Sequence, residues 1–152
     1  MFIGPFALLL AFFFQAGDVP PVAGEVFNSA EKAQLENAKN IEQRIKVYTA
    51  ASQRIQQTLE ASVDKEDFRT VPENLTLWIA LLSKSLEDVE ANLKSKKKSG
   101  ALIKYEIQLR KSITNTTSLK IRAPVDQQDL FDSCISQAET VRRKFVAILF
   151  LH

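Results

Sequence analysis

Residues 38–59 read AKNIEQRIKVYTAASQRIQQTL, and the spacing of their apolar side chains decides the fold class. Ala38, Ile41, Ile45, Tyr48, Ser52, Ile55 and Leu59 follow one another at alternating intervals of three and four. An α-helix turns once in 3.6 residues, so this spacing brings all of them onto one stripe, whereas a strand would need a period of two. The stripe holds for about three heptads and Ile dominates it, as in a coiled-coil seam. Glu42 and Lys46, between the seam positions, fall on the solvent side. Upstream, Asn28 with Glu31 three residues later has the form of a capping box, which predicts one long helix starting there and running through Leu59.

Downstream the same period recurs. Residues 62–68 carry Asp64, Lys65, Glu66 and Asp67 and read as a charged connector. Thr70-Val71-Pro72-Glu73 then reopens a helix, with Thr70 as cap, Glu73 reaching back to it, and Pro72 in the first turn where a missing N–H costs nothing. Leu75, Trp78, Ile79, Leu82, Leu86, Val89 and Leu93 supply its apolar face. Residues 94–100, KSKKKSG, read either as a turn with Ser99 capping the next helix or as the exposed middle of one very long helix. The turn is favoured, because antiparallel helices bury two seams at once.

Beyond it, Leu102, Leu109, Ile113 and Leu119 fit a helix. Ile103, Tyr105, Ile107 and Leu109 also alternate as a strand does, but a lone strand among helices has nothing to pair with. Ala123-Pro124 ends this segment. Asp126 reads as the cap of a last helix whose inner face is Leu130, Cys134, Ala138, Val141, Phe145 and Ile148 or Leu149. The expected fold is all-α: an up-down bundle of three to four long amphipathic helices with coiled-coil-like packing, and with no internal sequence repeat.

Residues 2–14, FIGPFALLLAFFF, are uncharged and apolar, the length of a secretory signal core and too short to span a bilayer comfortably. Residues 1–17 are read as a signal peptide with Ala16 and Gly17 at the cut. No Lys or Arg precedes the apolar run, and Phe14 or Gln15 stands where a small residue is usual. Residues 18–27, with Pro20 and Pro21, read as an extended tether, and residues 28–152 as a single helical-bundle domain. Export to the periplasm or the extracellular medium follows.

Composition narrows the chemistry. The chain has 152 residues and a net charge of +2; 45% of residues are hydrophobic and 25% charged, which excludes a disordered or a multi-span membrane protein. A single Cys excludes an internal disulfide framework and a Cys-clustered metal site. His152, the only His, ends the sequence, so no Ser-His-Asp, Cys-His, HExxH or paired-His arrangement can be drawn. With four Gly in all, a glycine-rich phosphate loop is missing too. No enzyme, cofactor or metal is expected.

Each remaining candidate also has a structural role open to it. Asp126, Asp129 and Asp132 are read as answering the helix dipole rather than holding a cation, since the calcium-loop Gly is missing. Glu42, Glu90, Glu106 and Glu139 each precede a Lys or Arg by four residues and are read as surface pairs. Lys96, Lys97 and Lys98 form a possible anion-binding cluster, and Arg142, Arg143 and Lys144 form another basic group. Nucleic acid is not expected, because the aromatics are not interleaved with the lysines. Tyr48 and Trp78 are read as core first and ligand pocket second. Cys134 lies on the apolar face. Asn74-Leu75-Thr76 and Asn115-Thr116-Thr117 match the glycosylation pattern. At the C-terminus, FVAILFL is apolar around most of its circumference. Val146, Phe150 and Leu151 need cover from a partner protein, a second copy, the first helix or a membrane surface touched without spanning. The expected function is therefore a non-enzymatic protein-interaction or structural module, with a carrier or sensor of an amphipathic or anionic ligand as the alternative.

Overall fold

The computed structural model describes residues 25–93 and 99–150. Within them the chain forms α1 (Ser29–Asn37), α2 (Ile41–Asp64), α3 (Val71–Asn92), α4 (Gly100–Arg122) and α5 (Val125–Phe150). The four long helices make the expected all-α bundle, and the short α1 lies on α2. The signal and the greater part of the tether expected at the N-terminus lie outside the described residues, as do Lys96, Lys97, Lys98 and Leu151.

The long helix expected from Asn28 is broken in two. Asn28 forms its capping box with Glu31. A second cap then intervenes, where the Asn40 side chain accepts from the Gln43 N–H and the Gln43 side chain accepts from the Lys39 N–H. Two local side-chain bonds thus outbid continuation of the helix at Ala38. The break lets α1 fold back along α2, where Arg54 donates to both carboxylate oxygens of Glu31 at 2.8 and 2.9 Å and to the Val26 carbonyl at 2.7 Å.

The connector after α2 is shorter than expected, since Ser62 and Val63 are buried inside the helix. It closes with the Glu66 N–H on the Val63 carbonyl and the Asp67 N–H on the Ser62 carbonyl, with Glu66 at φ 56°. That is a Schellman motif with Glu in the position that favours Gly. Thr70 does not cap α3 with its side chain; its hydroxyl bonds to Ser62 and the Asp67 carbonyl instead. α4 begins as expected, with the Ser99 hydroxyl accepting from the Leu102 N–H. α5 begins at Val125, which places Asp126 in its first turn rather than at its cap.

Each long helix reverses the direction of the one before it. α2 pairs with α3 and α4 with α5, as two antiparallel hairpins. The hairpins then stack side by side, α2 on α4 and α3 on α5. Hydrogen bonds fix this register: Ser99 to Glu42, Gln108 to Ser52, Gln56 to Thr116 and Arg122 to Asp64 lie 56 to 60 residues apart in sequence. α2 and α4 are therefore parallel, and α3 and α4 occupy diagonal corners. The seam residues Ile45, Tyr48, Ser52, Ile55 and Leu59 are all buried, together with Trp78, Leu82, Leu102, Tyr105, Leu109 and Phe145. Leu130 was expected inside but is 46% exposed; the adjacent and larger Phe131 takes the core position at 0%.

Candidate functional site

Beside the apolar face it buries, α4 carries a second apolar ridge. Ile103 and Ile107 are spaced by four and stand off the Leu102, Tyr105 and Leu109 face, half-buried. Opposite them on α5, Val146 is half-buried and Phe150 is 61% exposed. Between these four side chains runs a groove of about 370 Å³ at one end of the bundle. Its charged wall is built across the helices: Arg142 donates to Glu106 at 2.9 Å and to Glu139 at 3.4 Å. The exposed Arg110 lines it as well.

This corrects the reading of Glu106 and Glu139 as solvated partners of residues four further on. Glu106 is buried, and its cation comes from the neighbouring helix. Glu42 is likewise used across helices, accepting from the Ser99 hydroxyl at 2.6 Å. The register of α4 on α5 sets Arg142 2.9 Å from Glu106, and Glu139 pairs with that same Arg142, three residues on in its own helix. Val146 and Phe150 line one groove, together with Ile103, Ile107, Arg110 and Arg142. Their signal in the sequence was the four-residue spacing of Ile103 and Ile107, which reads equally as strand alternation.

A second groove, of about 590 Å³, lies where α1 gives way to α2, against the end of α3. Its Asp88 carboxylate is already engaged. Asp88 accepts from Arg44 Nε at 2.5 Å, from the Tyr48 hydroxyl, and from Asn92 Nδ2 at 2.7 Å. Burial, and next the Asp88 carboxylate that Tyr48 bonds to, push the Tyr48 phenol up to about 12. Trp78 is fully buried and donates to the Ser52 hydroxyl at 3.1 Å. Both aromatics are therefore bundle core with satisfied polar atoms.

The other candidates fall into structural places. Cys134 is buried, lies 3.8 Å from the Leu75 carbonyl, and burial raises its thiol to about 12. A thiol so poised is protonated and unreactive. Asn74 is buried and donates to the Thr70 carbonyl, so a glycan-transferring enzyme does not reach it in the folded bundle. Asp126, Asp129 and Asp132 are exposed along the outer side of α5, and Asp132 pairs with Lys120 at 2.6 Å. Among the described residues, no three His, Cys, Asp or Glu side chains gather as metal ligands, and no helix is long and apolar enough to cross a membrane.

Comparison with known proteins adds no relative. No family model matches the chain, and neither a curated protein nor a solved structure matches it.

Proposed function

We propose that this chain is a non-enzymatic protein-interaction module of the exported compartment, which docks a partner protein in the groove between α4 and α5. The observation that carries the reading is the lining of that groove. Ile103, Ile107, Val146 and Phe150 expose apolar surface in one place, and cations stand beside it. Contiguous apolar surface on a folded domain is a mark of interaction sites, and Arg at the margin is typical of protein interfaces.

Charge selects the occupant. Along this end of the two helices, Lys104, Arg110, Lys111, Arg142, Arg143 and Lys144 outnumber Glu106 and Glu139. An amphipathic protein segment with an apolar stripe and acidic flanks complements such a rim. The apolar, uncharged residues 2–14 support export.

Native mass spectrometry of the protein taken gently from its own cells tests the reading. The expected result is a complex heavier than one chain, lost in Val146→Asp and retained in Thr114→Asp, an exposed change on α4 away from the groove lining. A single-chain mass for the unaltered protein in every preparation contradicts it.

A further inference from the structure

The outward side of α5 carries an exposed stripe that faces away from the bundle core. Val125, Asp129 and Asp132 lead it, Ser136 and Thr140 occupy its middle, and Arg143 and Phe150 close it. These residues recur at helical intervals and share one side of the helix. Val125 is 84% exposed and Phe150 61%, and the residues between are exposed as well. Read from either end, the stripe goes from an apolar residue through charge to small polar residues. The charge is acidic in the first half and basic in the second.

Such a stripe complements itself when reversed. With a second α5 laid antiparallel against it and centred between Gln137 and Ala138, Val125 stands opposite Phe150, and Asp132 stands opposite Arg143. Asp129 lies about one helical turn from the same Arg143 and within the reach of its side chain. Ser136 and Thr140 fall near the crossing point, where small side chains let two helices approach closely. Asp132 already pairs with Lys120, but 56% of its side chain remains exposed, so its carboxylate has room for a second cation. A parallel arrangement would instead set Asp against Asp and Arg against Arg.

We infer that two copies of this chain pair through the outward face of α5, antiparallel and about a two-fold axis, with Asp129 and Asp132 of each copy on Arg143 of the other. The inference goes beyond the docking reading, because of the residues on this face only Phe150 also lines the groove. Residue contacts are then mutual, the arrangement that closes at a dimer. One helix on one helix is small for an interface, so the dimer is reversible and weakened by salt.

Sedimentation of the full chain from about 1 µM to about 1 mM reads the association, that range spanning weak to moderate affinity. The unaltered chain is expected to approach twice its mass and stop there. Arg143→Glu alone and Asp129→Lys/Asp132→Lys alone each weaken the dimer at least about tenfold, the scale of lost charge pairs at an interface. The decisive arm mixes the two variants: each supplies the charge the other lacks, so a one-to-one heterodimer forms, and the triple variant dimerises with itself again. Far-UV circular dichroism confirms that each variant folds. A monomer at every concentration overturns the inference, as does growth past the dimer or a dimer indifferent to the swaps.

Discussion

Ser85 and Tyr105 meet at 2.8 Å in the centre of the bundle, a buried hydrogen bond between two helices that stand at diagonal corners. The Ser85 hydroxyl donates to the Leu82 carbonyl at 2.7 Å, so the Tyr105 hydroxyl is the donor to Ser85. Tyr105 is fully buried and its ring packs edge-on against Phe145 at 5.4 Å. One residue therefore ties α4 to α3 by a hydrogen bond and to α5 by aromatic contact.

Removing either hydroxyl tests that tie. Ser85→Ala leaves a buried phenol without an acceptor and is expected to cost about 1–3 kcal/mol, with Tyr105→Phe costing about 1 kcal/mol. The double variant costs less than the two single losses added, because no orphaned donor remains. Urea unfolding of the three variants measures this; additive losses would mean that the two hydroxyls do not act as a pair.

Alkaline pH is expected to destabilise the bundle in a defined order. Burial raises the Tyr105 phenol above its usual 10.0, Tyr48 to about 12 from 10.0, and the Cys134 thiol to about 12 from 9.0. For each group the unfolded chain loses its proton first. Stability is thus whole below pH 9, begins to fall from pH 9 as Cys134 enters, and falls more steeply above pH 10. Each group adds a slope of about 1.4 kcal/mol per pH unit until its folded form titrates too. Thermal melts from pH 7 to 11 follow the decline. Cys134→Ala removes its first stage, and an unchanged onset in that variant would contradict the assignment.

Glu66 holds a left-handed backbone, φ 56°, at the end of α2. Its side chain is exposed. Glu66→Gly relieves the conformation and is expected to stabilise the protein by about 0.5–1 kcal/mol. Differential scanning calorimetry reads the gain as a higher Tm; a lower Tm would show that the entropy of Gly in the unfolded chain outweighs it.

α1 is held by a short clasp. Burial alone would raise the Glu31 carboxyl, but hydrogen bonds from Arg54 and from the Asn28 N–H, with the guanidinium charge, keep it below 4.5. A lowered value means the clasp is intact above pH 4.5 and is lost as pH falls through the folded-state value. Arg54→Ala leaves Glu31 unpaired and is expected to release α1. The loss is limited to the docking of α1, about 1–3 kcal/mol. Hydrogen exchange within Ser29–Asn37 rises in the variant, while protection in the middle of α3 is kept. Equal loss in both places would make α1 part of one cooperative unit with the bundle.

Much of this architecture is legible in the order of apolar residues. The period through Ile45, Tyr48, Ile55 and Leu59 and the caps at Asn28 and Ser99 read directly as helices, because backbone geometry and local hydrogen bonds decide them. What escaped depends on residues far apart in sequence. Leu130 and Phe131 are both apolar, and only packing against other helices selects Phe131 for the core. Arg142 has Glu139 on its own helix, yet its 2.9 Å bond goes to Glu106, 36 residues away. The groove was half legible: Val146 and Phe150 stand out as apolar residues without an inner position. Ile103 and Ile107 join them only through the hairpin register of α4 on α5. The break at Ala38 was written locally in Asn40 and Gln43, but the continuing apolar spacing across it masked those two caps.

The central claim is that a protein occupies the groove between α4 and α5. A photo-activated crosslinking residue placed at Ile107 in the full chain, irradiated in the cells that make it, addresses that claim most directly. The account predicts discrete polypeptide adducts that disappear when Val146→Asp is added. Lipid adducts alone, or protein adducts unaffected by Val146→Asp, would contradict it.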